Sequence, residues 1–149
     1  MDRAPVRRGQ PTVHLKWDEN VAILAGDAMF AIATQYLMED FPEVAGPLVQ
    51  EFMRISVGVC EGQMEDMDLA GQDVASIAEY IEMIRKKTAM LIGGSMSLGA
   101  IAAGADPEAV QAMYSYGEAA GIGFQGQYMA HHRPWRGQVA DPQRRRDGL

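Results

Sequence analysis

Ile77, Ile81, Ile84, Thr88, Leu91, Ser95 and Leu98 recur at intervals of three and four residues, the spacing of one face of an α-helix. A pattern this long excludes a strand and requires other helices to cover the face. Composition agrees with it: 48% of residues are apolar but only 7% are aromatic, and Ala, Met, Leu, Glu and Gln abound. An all-α, multi-helix bundle is the fold class that follows. Thr88 interrupts the stripe and should point inward, with Lys87 at its border. Thr can bond its own helix backbone and Lys can reach outward along its stem, so the pair has a structural reading beside a functional one.

Punctuation divides the rest. Pro5 and Pro11, with Gly9 between them, predict a loop over residues 3–16. Asp18 should cap a helix running to about Phe41, with Val21, Leu24, Ala25, Ala28 and Ile32 on one face. Pro42 and Pro47 mark a turn into a second helix, roughly Leu48 to Leu69, stopped by Gly71. Ser76 and Glu79 form a capping box for the third helix, which should reach about Ala103. Asp106-Pro107-Glu108 restarts a fourth, ending near Gln125. From Gly126 onward neither period persists, so residues 1–125 read as the helical domain and 126–149 as a divergent, disordered tail.

The formal charge of −7 conceals a split: residues 126–149 hold five Arg and two Asp, leaving eight basic and eighteen acidic side chains in 1–125. An acidic body argues against a nucleic-acid partner, which needs a positive face. A lone Cys60 excludes an internal disulfide framework and, with no leader in view, predicts a cytoplasmic setting. The uncharged run 88–105, with Ser95, Gly99 and Ala103 at four-residue spacing, borders on membrane length, but its modest hydropathy favours a buried core helix over an integral span.

Three places could carry chemistry. Arg7 and Arg8, beside a Gly/Pro turn, form a fork suited to phosphate oxygens. The second helix has a stripe of Phe52, Ser56 and Val59 that becomes polar at Gln63 and Asp66, with Glu61, Glu65 and Asp68 nearby. That pattern suits either a solvated acidic face or a cavity with a charged mouth and an apolar floor. Lys87 and Thr88 are the third place. His14 reads as a structural hydrogen-bonder, Cys60 as a small packed residue and the methionines as core filler, while His131-His132 lack zinc-ligand spacing.

Five segments in order resemble the trans-prenyltransferases, the polyprenyl (isoprenyl) diphosphate synthase family. They are Arg7-Arg8-Gly9-Gln10-Pro11-Thr12-Val13-His14, Ile23-Leu24-Ala25-Gly26-Asp27-Ala28, Gly62-Gln63-Met64-Glu65-Asp66, Lys87-Thr88-Ala89 and Gly121-Ile122-Gly123-Phe124-Gln125. The resemblance implies a partial isoprenoid-synthase fold, a homodimer, and head-to-tail condensation of isopentenyl diphosphate with an allylic diphosphate using magnesium. It further implies that Arg7 holds the allylic diphosphate and Arg8 the isopentenyl diphosphate. Lys87, Thr88 and Gln125 would surround the leaving group as the catalytic set, with Gln63 and Asp66 at the cavity mouth.

The chain departs from that pattern at both metal motifs. Of the family's first Asp-Asp-x-x-Asp motif only Asp2 is present, as the expected metal ligand. After Phe124-Gln125, where the second aspartate-rich motif belongs, the chain reads Gly126-Gln127-Tyr128-Met129-Ala130-His131-His132, with no aspartate before Asp141. These departures predict poor or absent condensation by the isolated chain, and the abrupt change in composition fits a frameshift or a rearrangement. The rivals are a non-catalytic helical subunit that dimerises, and a small membrane-associated protein built on residues 88–105.

Overall fold

The computed structural model describes residues 4–70 and 76–131, with side chains to residue 126. It is all-helical apart from one small hairpin, but the stripe that predicts helix is not the covered face. Ile77, Ile81, Leu91 and Ser95 are exposed and Thr88 is half-buried, while Tyr80, Met83, Ile84, Ala89, Gly93 and Ser97 are buried. Two compact units divide it, Met1–Val49 and Gln50–Leu149.

In the first unit, the segment expected to be a loop is a hairpin followed by a helical turn. Strand β1 (Val6–Arg7) pairs antiparallel with β2 (Gln10–Pro11), Val6 opposite Pro11 and Arg7 opposite Gln10. Arg8 and Gly9 form the connection with φ of 51° and 76°. Positive φ at both positions matches the right-handed twist of the strands, which is why the tight turn closes despite the cost of seating arginine there. Thr12 then ties the loop back by donating its hydroxyl to the Ala4 carbonyl at 2.9 Å, and α1 (Val13–Lys16) follows. Asp18 caps α2 (Glu19–Asp40) by accepting from the Val21 amide at 2.9 Å, as expected.

Its expected apolar face is not covered. No residue of α2 is buried, and Val21, Ile23, Leu24, Met29, Phe30, Ile32, Tyr36 and Met38 are exposed. Apolar side chains surround this helix instead of forming one stripe, the pattern of a helix covered on several sides, and the described residues of its own unit do not cover it. Among the described residues α2 is also the one helix long and apolar enough to cross a membrane by length and composition, in place of the run 88–105.

Helix α3 (Ala45–Ala70) begins in the first unit and, from Gln50, belongs to the second, which adds α4 (Ile77–Ile84), a five-residue π-helical segment Arg85–Ala89, α5 (Met90–Ala102) and α6 (Pro107–His131). Helix α3 begins before its expected start at Leu48, with Pro47 inside its first turn. Proline is tolerated there because its missing N–H would have no helical partner anyway. The Ser76–Glu79 capping box forms, with Ser76 N–H donating to the Glu79 carboxylate at 2.9 Å and Glu79 N–H to the Ser76 hydroxyl at 3.1 Å. Gly104 (φ 72°) ends α5; its amide donates to Ile101 and that of Ala105 to Ala100, satisfying carbonyls that would otherwise be stranded. Asp106 restarts the chain by capping Ala109 at 2.8 Å. Helix α6 continues past Gln125 to His131, so the first residues of the expected tail are helical.

Glycine sets how closely these helices pack. A Cβ on Gly93 would meet the Tyr114 carbonyl 2.7 Å away, one on Gly117 the Cα of Gly93 at 2.7 Å, and one on Gly121 the Cα of Ala89 at 2.6 Å. The backbone of α6 from Tyr114 to Gly121 therefore touches that of Ala89 and Gly93. On the other side Gly94 admits the Ile55 side chain, and Gly58 admits Met90. The spacing at Ser95, Gly99 and Ala103, which resembles a packing stripe, instead faces outward. Gly99 has open space around its Cα. Gly99→Ala is accordingly expected to stabilise the unit by about 0.5–1 kcal/mol, read as a higher urea midpoint at unchanged m-value.

Core and surface also differ from expectation for sulfur. Met83 is buried with Leu69, Tyr80 and Ile84, but Met29, Met38, Met64, Met67 and Met113 are exposed. Cys60 is exposed as well, not packed as a small apolar residue. Each sits on a helix face that nothing within its own unit covers.

Candidate functional site

The π-helical segment Arg85–Ala89 contains both Lys87 and Thr88, the polar residues that interrupt the apolar stripe. Short π-helical insertions recur at functional sites because the added residue redirects the side chains around it. Here α3 lies against the segment at Gly62: a Cβ there would meet the Lys87 amide nitrogen and, at 2.7 Å, the Lys86 Cβ. Consecutive residues on a regular helix point about 100° apart, so two neighbours seldom engage one partner helix. The close approach lets both lysines do so.

Lys87 Nζ donates to Asp66 Oδ2 at 2.6 Å, and Lys86 Nζ donates to Glu65 Oε1 at 2.6 Å. Lys86 also lies 3.5 Å from Glu61, one turn earlier on α3. Gln63 Nε2 reaches the same Asp66 oxygen at 3.5 Å. The Asp66 charge and burial together push the Tyr80 phenol up, burial being the larger cause. The Lys87 and Asp66 side chains remain 36% and 29% exposed, so solvent screens the pair and holds its worth to about 1 kcal/mol or less. Its consequence is orientation: the ammonium is held at the surface over α3.

A chain of polar contacts braces this segment from behind. Arg85 forks onto Glu82, with Nε 2.9 Å and Nη2 2.5 Å from its oxygens, and reaches Glu118 on α6 at 3.4 Å. Glu118 also accepts from the Tyr114 hydroxyl at 3.1 Å. Arg54 stacks 4.7 Å from the Tyr114 ring centroid and forks onto Glu51, which accepts from Ser97, 1% exposed, at 2.5 Å. Hydrogen bonds from Arg54 hold the Glu51 carboxyl below its ordinary 4.5 against burial, which raises it; Ser97 adds a smaller lowering. Arg85 likewise lowers Glu82.

A depressed folded-state value means the stabilisation is fully present above the unfolded value near 4.5 and disappears as pH falls through the lower folded value. The urea midpoint should therefore hold between pH 7 and 5 as far as these groups are concerned and decline below about 4.5, less steeply in Glu51→Gln.

Lys87, Gln63 and Asp66 are thus brought together, and half-buried Thr88 follows Lys87 in the π-helical segment. Gln125 is half-buried on α6, one turn beyond Gly121, whose contact with Ala89 sets the register. By that register Gln125 falls beside the start of the π-helical segment. Arg7 and Arg8 lie on the exposed hairpin of the other unit. Asp2 and residues 132–149 lie outside the described residues.

The described carboxylates do not fit a magnesium cluster. Asp66 and Glu65 are each engaged by a lysine, and no group of three His, Cys, Asp or Glu suited to a metal occurs among the described residues.

Sequence reasoning missed Lys86, although it adjoins Lys87, because a regular helix would turn it away. It also missed the Arg85–Glu118 and Ser97–Glu51 links, which join residues far apart in the chain. The local halves of that brace, Glu82 with Arg85 and Glu51 with Arg54, carry a visible three-residue spacing.

The sequence profile of the polyprenyl synthetase family matches residues 1–127. A geranylgeranyl diphosphate synthase of Methanosarcina mazei is 39% identical over 127 residues, covering 84% of this chain and 39% of that protein. Among solved structures, a geranylgeranyl pyrophosphate synthase superposes with a TM-score of 0.82 at 38% identity, covering 93% of this chain and 44% of the other. The geranylgeranyl pyrophosphate synthetase of Geoglobus acetivorans gives 0.79 at 42% identity over 84% of this chain and 42% of its own. The chain spans about two fifths of the length of the curated relatives it matches.

Proposed function

This chain belongs to the polyprenyl synthetase family, and from that premise we propose that its second unit carries the diphosphate-gripping part of a prenyltransferase that joins isopentenyl diphosphate to an allylic diphosphate. The observation that carries the proposal is the pair of lysines held side by side over α3 next to Thr88. Ionisation of an allylic carbon–oxygen bond leaves the bonding electrons on pyrophosphate, so donors already aimed at that oxygen lower the barrier. The Lys87 ammonium and Thr88 hydroxyl supply such donors, and Gln125 a third by its register.

Arg7 and Arg8 serve the allylic and isopentenyl diphosphates respectively. Their tight turn supports this reading, because seating Arg8 at positive φ costs about 1 kcal/mol and holds a guanidinium out in water. The magnesium implied by the resemblance belongs to the proposal as a requirement of the whole protein, with Asp2 its expected ligand. The family portion runs through residue 127, two residues past the boundary that composition suggests, and the reading places it in a cytosolic homodimer.

The experiment is condensation of radiolabelled isopentenyl diphosphate with an allylic diphosphate by the purified 149-residue chain. Turnover far below that of a full-length relative is expected, together with measurable binding of inorganic pyrophosphate. Absence of pyrophosphate binding would overturn the proposal.

The exposed apolar surface of α2 favours a second reading, a non-catalytic subunit that dimerises through this helix. Dimerisation with no diphosphate binding at all would decide for it. A need for detergent throughout purification would instead favour membrane association.

A further inference from the structure

We propose that Arg133-Pro134-Trp135-Arg136, in the chain that follows α6, docks into an acidic groove between α3 and α4 of the same molecule. The contact involves neither Lys87 nor Thr88 and does not rest on the diphosphate reading.

The groove, of about 490 Å³, is lined by Glu65, Asp68 and Leu69 from α3 and by Ala78, Glu79 and Glu82 from α4. Four carboxylates thus surround a small apolar patch. Lys86 answers Glu65 and Arg85 answers Glu82, while Glu79 is engaged by the neutral Ser76. Asp68 is exposed and makes no hydrogen bond or ion pair among the described residues. Two negative charges are therefore unmatched, and both cations are further shared, Lys86 with Glu61 and Arg85 with Glu118. Two more guanidiniums would balance the groove.

The fold brings such groups to that place. Gly117 lies against Gly93 and Gly121 against Ala89, so α6 runs antiparallel to the chain it covers. Ten residues beyond Gly121 is His131, the end of α6, and ten before Ala89 is Glu79. The end of α6 is therefore level with the groove, and α4 and α6 are in contact. Trp135 follows His131 by four residues, a reach of about 13 Å, enough to pass around a helix about 10 Å across.

The chemistry of the segment matches both parts of the groove. Arg133 and Arg136 carry planar forks suited to carboxylates, and Trp135 between them offers a broad apolar face to Leu69 and Ala78. The charge balance of the chain has the same sense: five Arg and two Asp in residues 126–149, against eight basic and eighteen acidic side chains in 1–125. Arg144, Arg145 and Arg146 lack a neighbouring aromatic and lie at least thirteen residues from α6, so loop closure favours the nearer pair.

The test is acrylamide quenching of Trp135 in the full chain carrying Trp17→Phe, which leaves a single tryptophan. At low salt, quenching is expected to be several-fold weaker than in about 1 M NaCl, where the ion pairs are screened. Asp68→Lys should raise the low-salt quenching to the high-salt level. Arg133→Glu together with Arg136→Glu should do the same, and adding Asp68→Lys to that pair should restore part of the protection. Equal quenching at low and high salt overturns the proposal, as does protection that survives Asp68→Lys. Protection that fades on dilution of the protein assigns the groove to the tail of a second copy and rejects the internal contact. Matching helical circular dichroism establishes that the variants are folded, and Asp68→Asn, with a smaller expected loss, replaces Asp68→Lys if that one is not.

Discussion

Gly62→Ala is expected to destabilise the second unit by about 2–3 kcal/mol, although alanine is the better helix former by about 1 kcal/mol. The added methyl would enter backbone: the Lys87 amide nitrogen and, at 2.8 Å, the Lys86 carbonyl carbon lie where it must go. Backbone inside a packed helix cannot swing aside as a side-chain end can, so either α3 withdraws or the π-helical segment shifts. Gly94→Ala provides the internal contrast, because the atoms nearest its methyl belong to the Ile55 side chain and not to backbone. Gly99→Ala is the outer control with no obstruction. The order of urea midpoints should be Gly99→Ala above wild type, then Gly94→Ala, with Gly62→Ala lowest. Equal midpoints for the last two would mean that α3 does not press on the segment at Gly62.

Lys87→Gln is expected to lower affinity for inorganic pyrophosphate by about 10- to 100-fold, the worth of one charge-assisted contact in a partly dry site. The fold should survive, because the lost ion pair is one-third exposed and contributes little to stability. Glutamine keeps a donor on a shorter, uncharged stem and leaves Asp66 its Gln63 neighbour. Lys86→Gln should weaken binding less, since that ammonium is already shared between Glu65 and Glu61. Calorimetry on the two variants separates the roles. A larger loss from Lys86→Gln would transfer the gripping function to Lys86 and undo the present assignment.

Much of this fold can be read along the chain because its signals are local. Asp18, the Ser76–Glu79 box, and Asp106 before Pro107 each satisfy amide groups within a few residues, so the helix starts can be located without knowing any neighbour. The stripe on which Thr88 falls gives the helical period correctly but not the buried face, since Ile77, Ile81 and Leu91 on it are exposed. Arg7 and Arg8 stand out by adjacency, but the hairpin that presents them does not, because Pro11 reads as a breaker until its partner strand is found.

Burial was less legible. The intended face of α2 is open, and the four-residue repeat at Ser95, Gly99 and Ala103 meets no helix, while the repeats Gly58–Gly62 and Gly117–Gly121 do. Small residues permit close approach wherever they occur. Which pair of them is used depends on where the other helix runs.

The chain's own order of residues thus determined its helical class, its caps and its three polar interruptions, each a matter of contacts a turn or less apart. Tertiary structure alone decided that Lys86 and Lys87 both lie over α3, with Asp66 as the partner of Lys87. That choice rests on a π-helical register and on Gly62, where absence of a side chain lets two backbones meet. Neither has a local signature, because the energy that selects them comes from a helix more than twenty residues away.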